Sequence, residues 1–286
     1  MTITNRLGLP EGFVRACDTK AHNEEGCVSA TTLLKGVKEI VLTSRHWNEM
    51  EDDVADRVWA IWGQAVHSLL EHETPDTFVE ESVSADVNGM KVTGRMDCYD
   101  PKESILYDYK TSSVWKVLYK DFDDWKKQGL IYSWLLKKNG FEVKKCRFIA
   151  MLKDHSKSKA KFDANYPQSP VYVYEFDVTD VDLAKIENFI RIKVGEIQDC
   201  EGLDDDSIAE CSEAERWAKP TTYAVMKQGR KTAVRVFDNM ADAEKLATEQ
   251  GGYVETRKGT DGKCPEYCGC CEFCSYWKAK YMEKGE

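Results

Sequence analysis

The chain has 286 residues, 42% of them hydrophobic, with 40 basic against 50 acidic side chains and a net charge of −10. That is enough for one large domain or two small ones with a packed core, and the absence of any eighteen-residue apolar run excludes a membrane-spanning helix. The negative balance excludes a simple basic protein that coats nucleic acid. It still permits one that grips a polyanion on one face, because residues 47–86 hold eleven acids against Arg57 while residues 144–161 hold seven bases against Asp154.

Taken in chain order, the opening MTITNRLGLPEGFVRACDTK lacks the basic-then-apolar pattern of a secretory signal, so a cytoplasmic protein is expected. Residues 1–46 read as an N-terminal segment packing on a core, with a helix starting at Ser29-Ala30-Thr31-Thr32-Leu33-Leu34. From Trp47 to Glu73 the residues Val54, Val58, Ile61, Ala65 and Leu69 recur every three or four positions, widened by Trp59, Trp62, Val66 and Leu70. That pattern predicts one long helix buried on one side and ended by Thr74-Pro75-Asp76. Three strands follow, Thr77–Val87, Met90–Tyr99 and Ser104–Thr111, the first two joined by the hairpin signal Asn88-Gly89. A helix capped by Asp121 or Asp123 runs to about Lys138 and stops at Gly140, then come strands over Glu142–Leu152 and Val171–Val178, separated by a basic loop, and a helix over Asp180–Asp199.

Residues 47–200 therefore form the core, and residues 201–286 a small appendage. In the appendage, Thr221–Met226 and Arg230–Phe237 suggest a hairpin, Ala241–Thr248 a helix and Gly252–Thr256 a strand. The expected class is α/β: a central mixed β-sheet flanked by helices, with a C-terminal ββαβ and cysteine-rich appendage.

The chemistry-bearing residues begin on the third strand. Asp108 and Lys110, two apart, share one face there, with Tyr107 and Tyr109 on the other, and Asp97 lies on the preceding strand of the hairpin. Two carboxylates at a sheet suit a hard dication such as Mg²⁺ or Mn²⁺, and an adjacent lysine can hold a phosphate oxygen or an attacking water. His67 on the long helix, with Glu71 one turn beyond it, adds a nitrogen donor that would let Mn²⁺ compete with Mg²⁺. Gln128 and Tyr132 stack on one face of the next helix. Taken singly, Asp-x-Lys fits an ordinary charged strand, and a helical histidine fits an ordinary structural role.

In combination, Gly63-x-x-x-His67, Gly94-x-x-Asp97, Asp108-x-Lys110 and Gln128-x-x-x-Tyr132 resemble, in order and spacing, the RecB-type branch of the PD-(D/E)XK nuclease superfamily, over roughly residues 47–180. The resemblance implies a restriction-endonuclease-like core and a metal-dependent DNA nuclease. His67, Asp97, Asp108 and the carbonyl of Tyr109 would be its ligands for Mg²⁺ or Mn²⁺, Lys110 its catalytic lysine, and Gln128 and Tyr132 its contacts or supports for the DNA strand. The second acid is Asp where many relatives carry Glu. The whole chain is also similar in texture to exonucleases encoded by phages and prophages. That implies action in a bacterial host's cytoplasm in phage DNA recombination, repair or replication, with a single-strand annealing or recombination protein as a further partner.

Lys153, Lys157, Lys159 and Lys161 form the best basic loop for DNA phosphates, and Lys227, Arg230 and Lys231 sit at the hairpin tip of the appendage. No base-reading chemistry is evident, so sequence-independent binding is expected.

Five of the eleven cysteines fall within eleven residues, and Cys264, Cys268, Cys271 and Cys274 are spaced to hold one tetrahedral centre, zinc or an iron–sulfur cluster. Some RecB-type nucleases hold a 4Fe–4S cluster through one upstream cysteine. By that resemblance Cys17 or Cys27 would join Cys264, Cys268 and Cys274. Two further functions stand beside the metal-dependent exonuclease: a catalytically quiet DNA-binding or replication accessory protein that keeps the fold, and a zinc-stapled interaction domain.

Overall fold

The computed structural model describes residues 1–17, 26–70, 77–79 and 81–282. The chain forms two compact units, Met1–Gly202 and Leu203–Glu286.

The first unit contains, in order, β1 (Thr2–Thr4), α1 (Glu11–Cys17), β2 (Cys27–Ser29), α2 (Val37–Arg45), β3 (Glu51–Asp53), α3 (Val58–Leu70), β4 (Phe78–Val79), β5 (Ser82–Val87), β6 (Met90–Arg95), β7 (Cys98–Asp100), β8 (Ile105–Ser112), α4 (Val114–Leu118), α5 (Asp123–Lys138), β9 (Lys145–Leu152), α6 (Lys157–Phe162), β10 (Val171–Asp177) and α7 (Asp180–Asp199). The central sheet has the order β10-β9-β8-β7-β4. It is mixed: β8 and β9 run parallel, joined by a crossover through α4 and α5, and the other pairs are antiparallel. A second sheet, β2-β6-β5, pairs β2 with β6 in parallel, and β1 pairs with β3 in parallel.

Helix α5 is the centre of packing. Trp125 and every residue from Gln128 to Leu136 are buried, too wide an arc for a helix with one wet side. Its Gly129 lies where a Cβ would come within 3.1–3.2 Å of the Phe148 ring and Cys146 Sγ on β9. Its other side carries Tyr132 and Leu135 against β6 and also packs on α7. Asp123 and Asp124 in the first turn and Lys137 and Lys138 in the last complement the helix dipole. Gly140, at φ +88°, takes the left-handed conformation that stops it. The β5–β6 turn has Asn88 at φ +54° and Gly89 at φ +81°, as the Asn-Gly signal predicts.

The structure departs from the sequence reading in several places. The helix expected from Trp47 begins only at Val58, because Glu51–Asp53 pairs with the N-terminal strand and Asp53 accepts hydrogen bonds from Thr4 Oγ1 and the N–H groups of Arg6 and Ala55. Its predicted end lies outside the described residues. No residue of α3 is buried, so the apolar stripe read as a core face is at least half exposed at Trp59 (58%) and Trp62 (55%). Ser29 ends a strand instead of opening a helix; its Oγ accepts from Thr32 N–H in a short turn before α2. The strand read as Met90–Tyr99 breaks at Met96-Asp97, which sends β6 and β7 to different sheets. No side chain caps α5, whose N-cap is Phe122. The basic loop contains α6, capped by Ser156.

The second unit holds β11 (Ala218–Lys219), β12 (Thr222–Met226), β13 (Arg235–Phe237), α8 (Met240–Gln250), β14 (Tyr253–Arg257) and β15 (Thr260–Asp261). The sheet β13-β12-β14 is antiparallel and carries α8 over Val225, Ala243 and Ala247. The expected β13 is shorter than read, three residues in place of eight.

Gly94 tests the packing of α5. A Cβ there would lie 2.7 Å from Leu135 Cδ1 and 2.8 Å from Tyr132 Cε1, and both side chains are buried with nowhere to yield. Gly94→Ala is expected to cost about 1–3 kcal/mol through overpacking, read as a lower urea midpoint with an unchanged slope; an unshifted midpoint would show that α5 and β6 relax apart freely.

Candidate active site

Strand β8 brings the site together by simple alternation. Leu106, Asp108 and Lys110 face the side where β9 contributes Cys146, Phe148 and Ala150 in register, so a carboxylate and an ammonium enter a largely apolar layer under α5. Asp108 is 2% exposed. Its Oδ1 lies 2.6 Å from Lys110 Nζ, a close ion pair, and has no hydrogen bond of regular geometry. Lys110 Nζ also lies 5.8 Å from the centre of the Phe148 ring.

Asp97 occupies the bend between β6 and β7, one residue past the ladder pair Cys98–Tyr107. There its Oδ2 accepts the Tyr109 N–H at 2.7 Å, and its Oδ1 lies 3.2 Å from His67 Nδ1. Helix α3 runs beside β8: a Cβ at Gly63 would stand 3.8 Å from Thr111 Oγ1, an ordinary contact. Four residues on, His67 reaches Asp97. The glycine is thus a close neighbour of the strand without being sterically required.

These groups feel one another. Burial pushes the Asp108 carboxyl up to about 6; Lys110 and His67 oppose the rise and Asp97 adds to it. The hydrogen bond to Asp97 raises His67, against the opposing cost of burial. The donor set is two carboxylates, an imidazole and the nearby Tyr109 backbone. This is the mixture that hard or borderline dications take, and the orphaned Asp108 Oδ1 is a buried negative oxygen that a cation would satisfy. The type of donor fits, but the orientation is different. Among the described residues no three His, Cys, Asp or Glu side chains are arranged to hold a metal ion. Asp97 is engaged by His67 and Tyr109, and Asp108 by Lys110.

Other sequence-derived candidates fall elsewhere. Gln128 and Tyr132 are both buried and bonded to each other, Nε2 to the phenol oxygen at 3.3 Å. They belong to the packed face of α5, a placement that suits a support for the site more than a direct contact with a DNA strand. Lys153, Lys157 and Lys159 are exposed. Lys153 Nζ stands 3.8 Å above the Trp59 ring of α3, and its neighbour Asp154 accepts from Ser113 Oγ (2.6 Å) and the Val114 N–H (2.7 Å), tying this basic segment to the start of α4. Sequence reasoning missed α4 and its stacked, exposed Trp115–Tyr119 pair; the N-cap serine Ser113 was the available signal.

In the second unit Cys264, Cys268, Cys271 and Cys274 are half-buried and Cys270 is buried, with its sulfur 3.6 Å from that of Cys268. Burial, then the charges of Asp261 and the thiols of Cys268, Cys211 and Cys274, push Cys264 up to about 12. Cys211, distant in sequence, is thus a neighbour that spacing alone gave no means of finding.

No protein-family profile and no curated protein matches the chain. Among solved structures it is similar to SSO0001, with 19% identity and a TM-score of 0.46 over 64% of this chain and 83% of that one. It is also similar to an alkaline exonuclease (LHK-Exo) from Laribacter hongkongensis (12%, 0.38, 61% and 89%). A third is a phage related exonuclease from Haemophilus somnus 129PT (12%, 0.36, 58% and 91%). No helix among the described residues is long and apolar enough to cross a membrane.

The raised Asp108 carboxyl predicts a pH-dependent stability. Below the ordinary value of 3.8 it is neutral whether folded or not; as pH rises through about 6, ionising the buried group costs stability. Asp108→Asn is therefore expected to melt near wild type at low pH and to gain on the order of 1–3 kcal/mol relative to it above pH 7. Thermal melts across that range check this. A gain already present near pH 4 would place the cost in packing.

Proposed function

We propose that the protein is a metal-dependent deoxyribonuclease that hydrolyses DNA phosphodiester bonds, acting as an exonuclease in phage DNA recombination, repair or replication. The supporting observation is the group formed by Asp97, Asp108, Lys110 and His67, with a buried carboxylate oxygen 2.6 Å from an ammonium. Asp97, Asp108, His67 and the Tyr109 carbonyl would hold Mg²⁺ or Mn²⁺, which supplies charge against the phosphate oxygens and lowers the pKa of the attacking water.

The remaining work belongs to the side chains. Lys110 Nζ donates to a phosphate oxygen or to the incoming water once it turns from Asp108 Oδ1, and its positive charge offsets the charge that develops on phosphorus. The Tyr109 N–H fixes Asp97, and Asp97 orients His67 through Nδ1. Phe148 and α5 keep water from the inner side of Asp108, so its charge acts in a poorly screened environment. Exposed Lys153, Lys157 and Lys159 supply sequence-independent phosphate contacts.

One observation favours the second reading, a DNA-binding accessory protein without turnover: both acids already have protein partners, Asp108 the Lys110 ammonium and Asp97 the His67 ring and the Tyr109 N–H. End-labelled linear DNA separates the two. With Mg²⁺ or Mn²⁺, wild type is expected to release nucleotides from the ends, with Lys110→Ala and Asp108→Ala lower by about 10²-fold or more, a loss typical of removing one transition-state group. Equal activity in all three proteins refutes the nuclease, whereas retained binding without cleavage under any dication supports the accessory protein.

The cysteines would serve the appendage as a separate zinc or 4Fe–4S site, built from Cys264, Cys268, Cys271 and Cys274. Because Cys264 holds its proton to about 12, loading would release protons. Elemental analysis and a visible spectrum of anaerobically purified protein are expected to give near-stoichiometric zinc or iron. Neither metal in the full-length protein would refute the site.

A further inference from the structure

Helix α3 is the anomaly of the first unit. Its sequence is among the most apolar in the chain, yet Trp59 and Trp62 remain 58% and 55% exposed and Leu69 76%. Trp59, Gly63 and His67 lie four residues apart on one side of the helix, so the face that carries His67 to Asp97 carries Trp59 about 12 Å further along the axis. Lys153 caps that indole at 3.8 Å. The backbone N–H of Lys153 bonds Ser112 O at the end of β8, and Asp154 holds Ser113 and Val114. The next residue, Trp115, stacks on Tyr119 with ring centres 5.8 Å apart, and these are 53% and 74% exposed. Helix α6 then adds Lys157, Lys159 and Lys161, and Phe162 points outward at 91% exposure.

Exposed rings interleaved with lysines, at the C-terminal ends of two parallel strands, are poorly matched to duplex DNA, whose bases are already stacked. They match a strand whose bases are bare, since rings stack on any base while ammonium groups track the phosphates. An apolar protein face would leave the lysines without a counter-charge.

We propose that Trp59 and Trp62 of α3, Lys153, and the Trp115–Tyr119 pair of α4 form a stacking platform that holds single-stranded DNA leading to Asp97, Asp108 and Lys110. The proposal rests on the nuclease reading for its direction, and names the substrate class of that site as an unpaired strand. None of these residues is placed among the catalytic groups.

Binding in EDTA tests it, because no hydrolysis competes. Labelled oligothymidylate and a blunt duplex are titrated separately with the full-length protein, with Trp59→Ala/Trp62→Ala, with Trp59→Phe/Trp62→Phe and with Trp115→Ala/Tyr119→Ala. Each lost stacked base is expected to weaken oligothymidylate binding roughly 5- to 150-fold, with the Phe variant recovering most of it and duplex binding changing little. Tryptophan fluorescence of the wild type should fall as the oligonucleotide binds, and less so in the alanine variants. Equal oligothymidylate affinity in all proteins overturns the platform, as does parallel loss of duplex binding. Sedimentation as a dimer that Trp59→Ala/Trp62→Ala dissociates also overturns it, because a second copy would then cover the helix. Cleavage of single strands by both alanine variants at the wild-type rate removes the platform and leaves the nuclease standing. Oligothymidylate binding without cleavage by any variant keeps the platform and removes the nuclease.

Discussion

A carboxylate held under a helix, in a layer of aromatic and aliphatic side chains, is costly unless something positive stands beside it. Asp108 is such a group, and much of the first unit is arranged around it. Strand alternation fixes which way it points, the register with β9 sets Phe148 opposite, and Lys110 two residues on brings the charge that makes burial tolerable. The pairing is incomplete: Oδ1 has an ionic partner but no hydrogen bond, and its proton affinity rises accordingly. A strand built only for stability would carry an apolar side chain there. Incompletely satisfied buried charges are commoner at functional sites than in purely structural strands, and that is what recommends Asp108 for the role proposed above.

The support for that group comes from a helix packed unusually deeply for one of sixteen residues. Two glycines make the depth attainable. Gly129 lets α5 settle on the Phe148 ring and Cys146, and Gly94 lets Tyr132 and Leu135 lie directly on β6. Three residues after Gly94 the chain turns at Asp97 into the central sheet, so the contact that seats the helix also fixes where the second acid stands. Gln128 and Tyr132 belong to this seating. Their spacing is informative, but about the frame that holds the acids, since both are inside it.

What was legible in the sequence follows from how local the cause is. The alternation of β8, the Asn88-Gly89 turn, the stop at Gly140 and the span of α7 are set by neighbouring residues, and the structure matches them within a residue or two. The errors arise where distant segments compete. Glu51–Asp53 carries the same helical periodicity as its surroundings, but Thr2–Thr4 offers it a parallel partner and Thr4, Arg6 and Ala55 hydrogen-bond Asp53. The apolar stripe of α3 has the pattern of a core face, but periodicity reports only that one side is apolar and says nothing of what covers it. The ordered motifs picked out His67, Asp97, Asp108 and Lys110, which the fold brings within mutual electrostatic reach. Cys211 and Asp154 became visible only once tertiary neighbours were known.

The second unit shows the same contrast between spacing and surroundings. Its thiols suggest that a metal must pin the last residues of a small appendage, and its core of Val225, Ala243 and Ala247 is indeed slight. Yet the tail already has an anchor. Asp261, 2% exposed at the end of β15, accepts from Tyr276 (2.8 Å), Tyr281 (3.1 Å) and Lys280 (2.7 Å), and lies 3.4 Å from Arg216. This carboxylate is buried and satisfied, and although burial opposes it, the Lys280, Tyr276 and Tyr281 hydrogen bonds hold its pKa below the usual range. Asp108 is the reverse case, equally buried, left short of one hydrogen bond and raised. Both acids sit in strands, so burial alone does not separate their roles. The difference lies in the surroundings: Asp261 has four donors closing on it, while Asp108 has one charge beside it and no regular hydrogen bond to the oxygen that faces that charge.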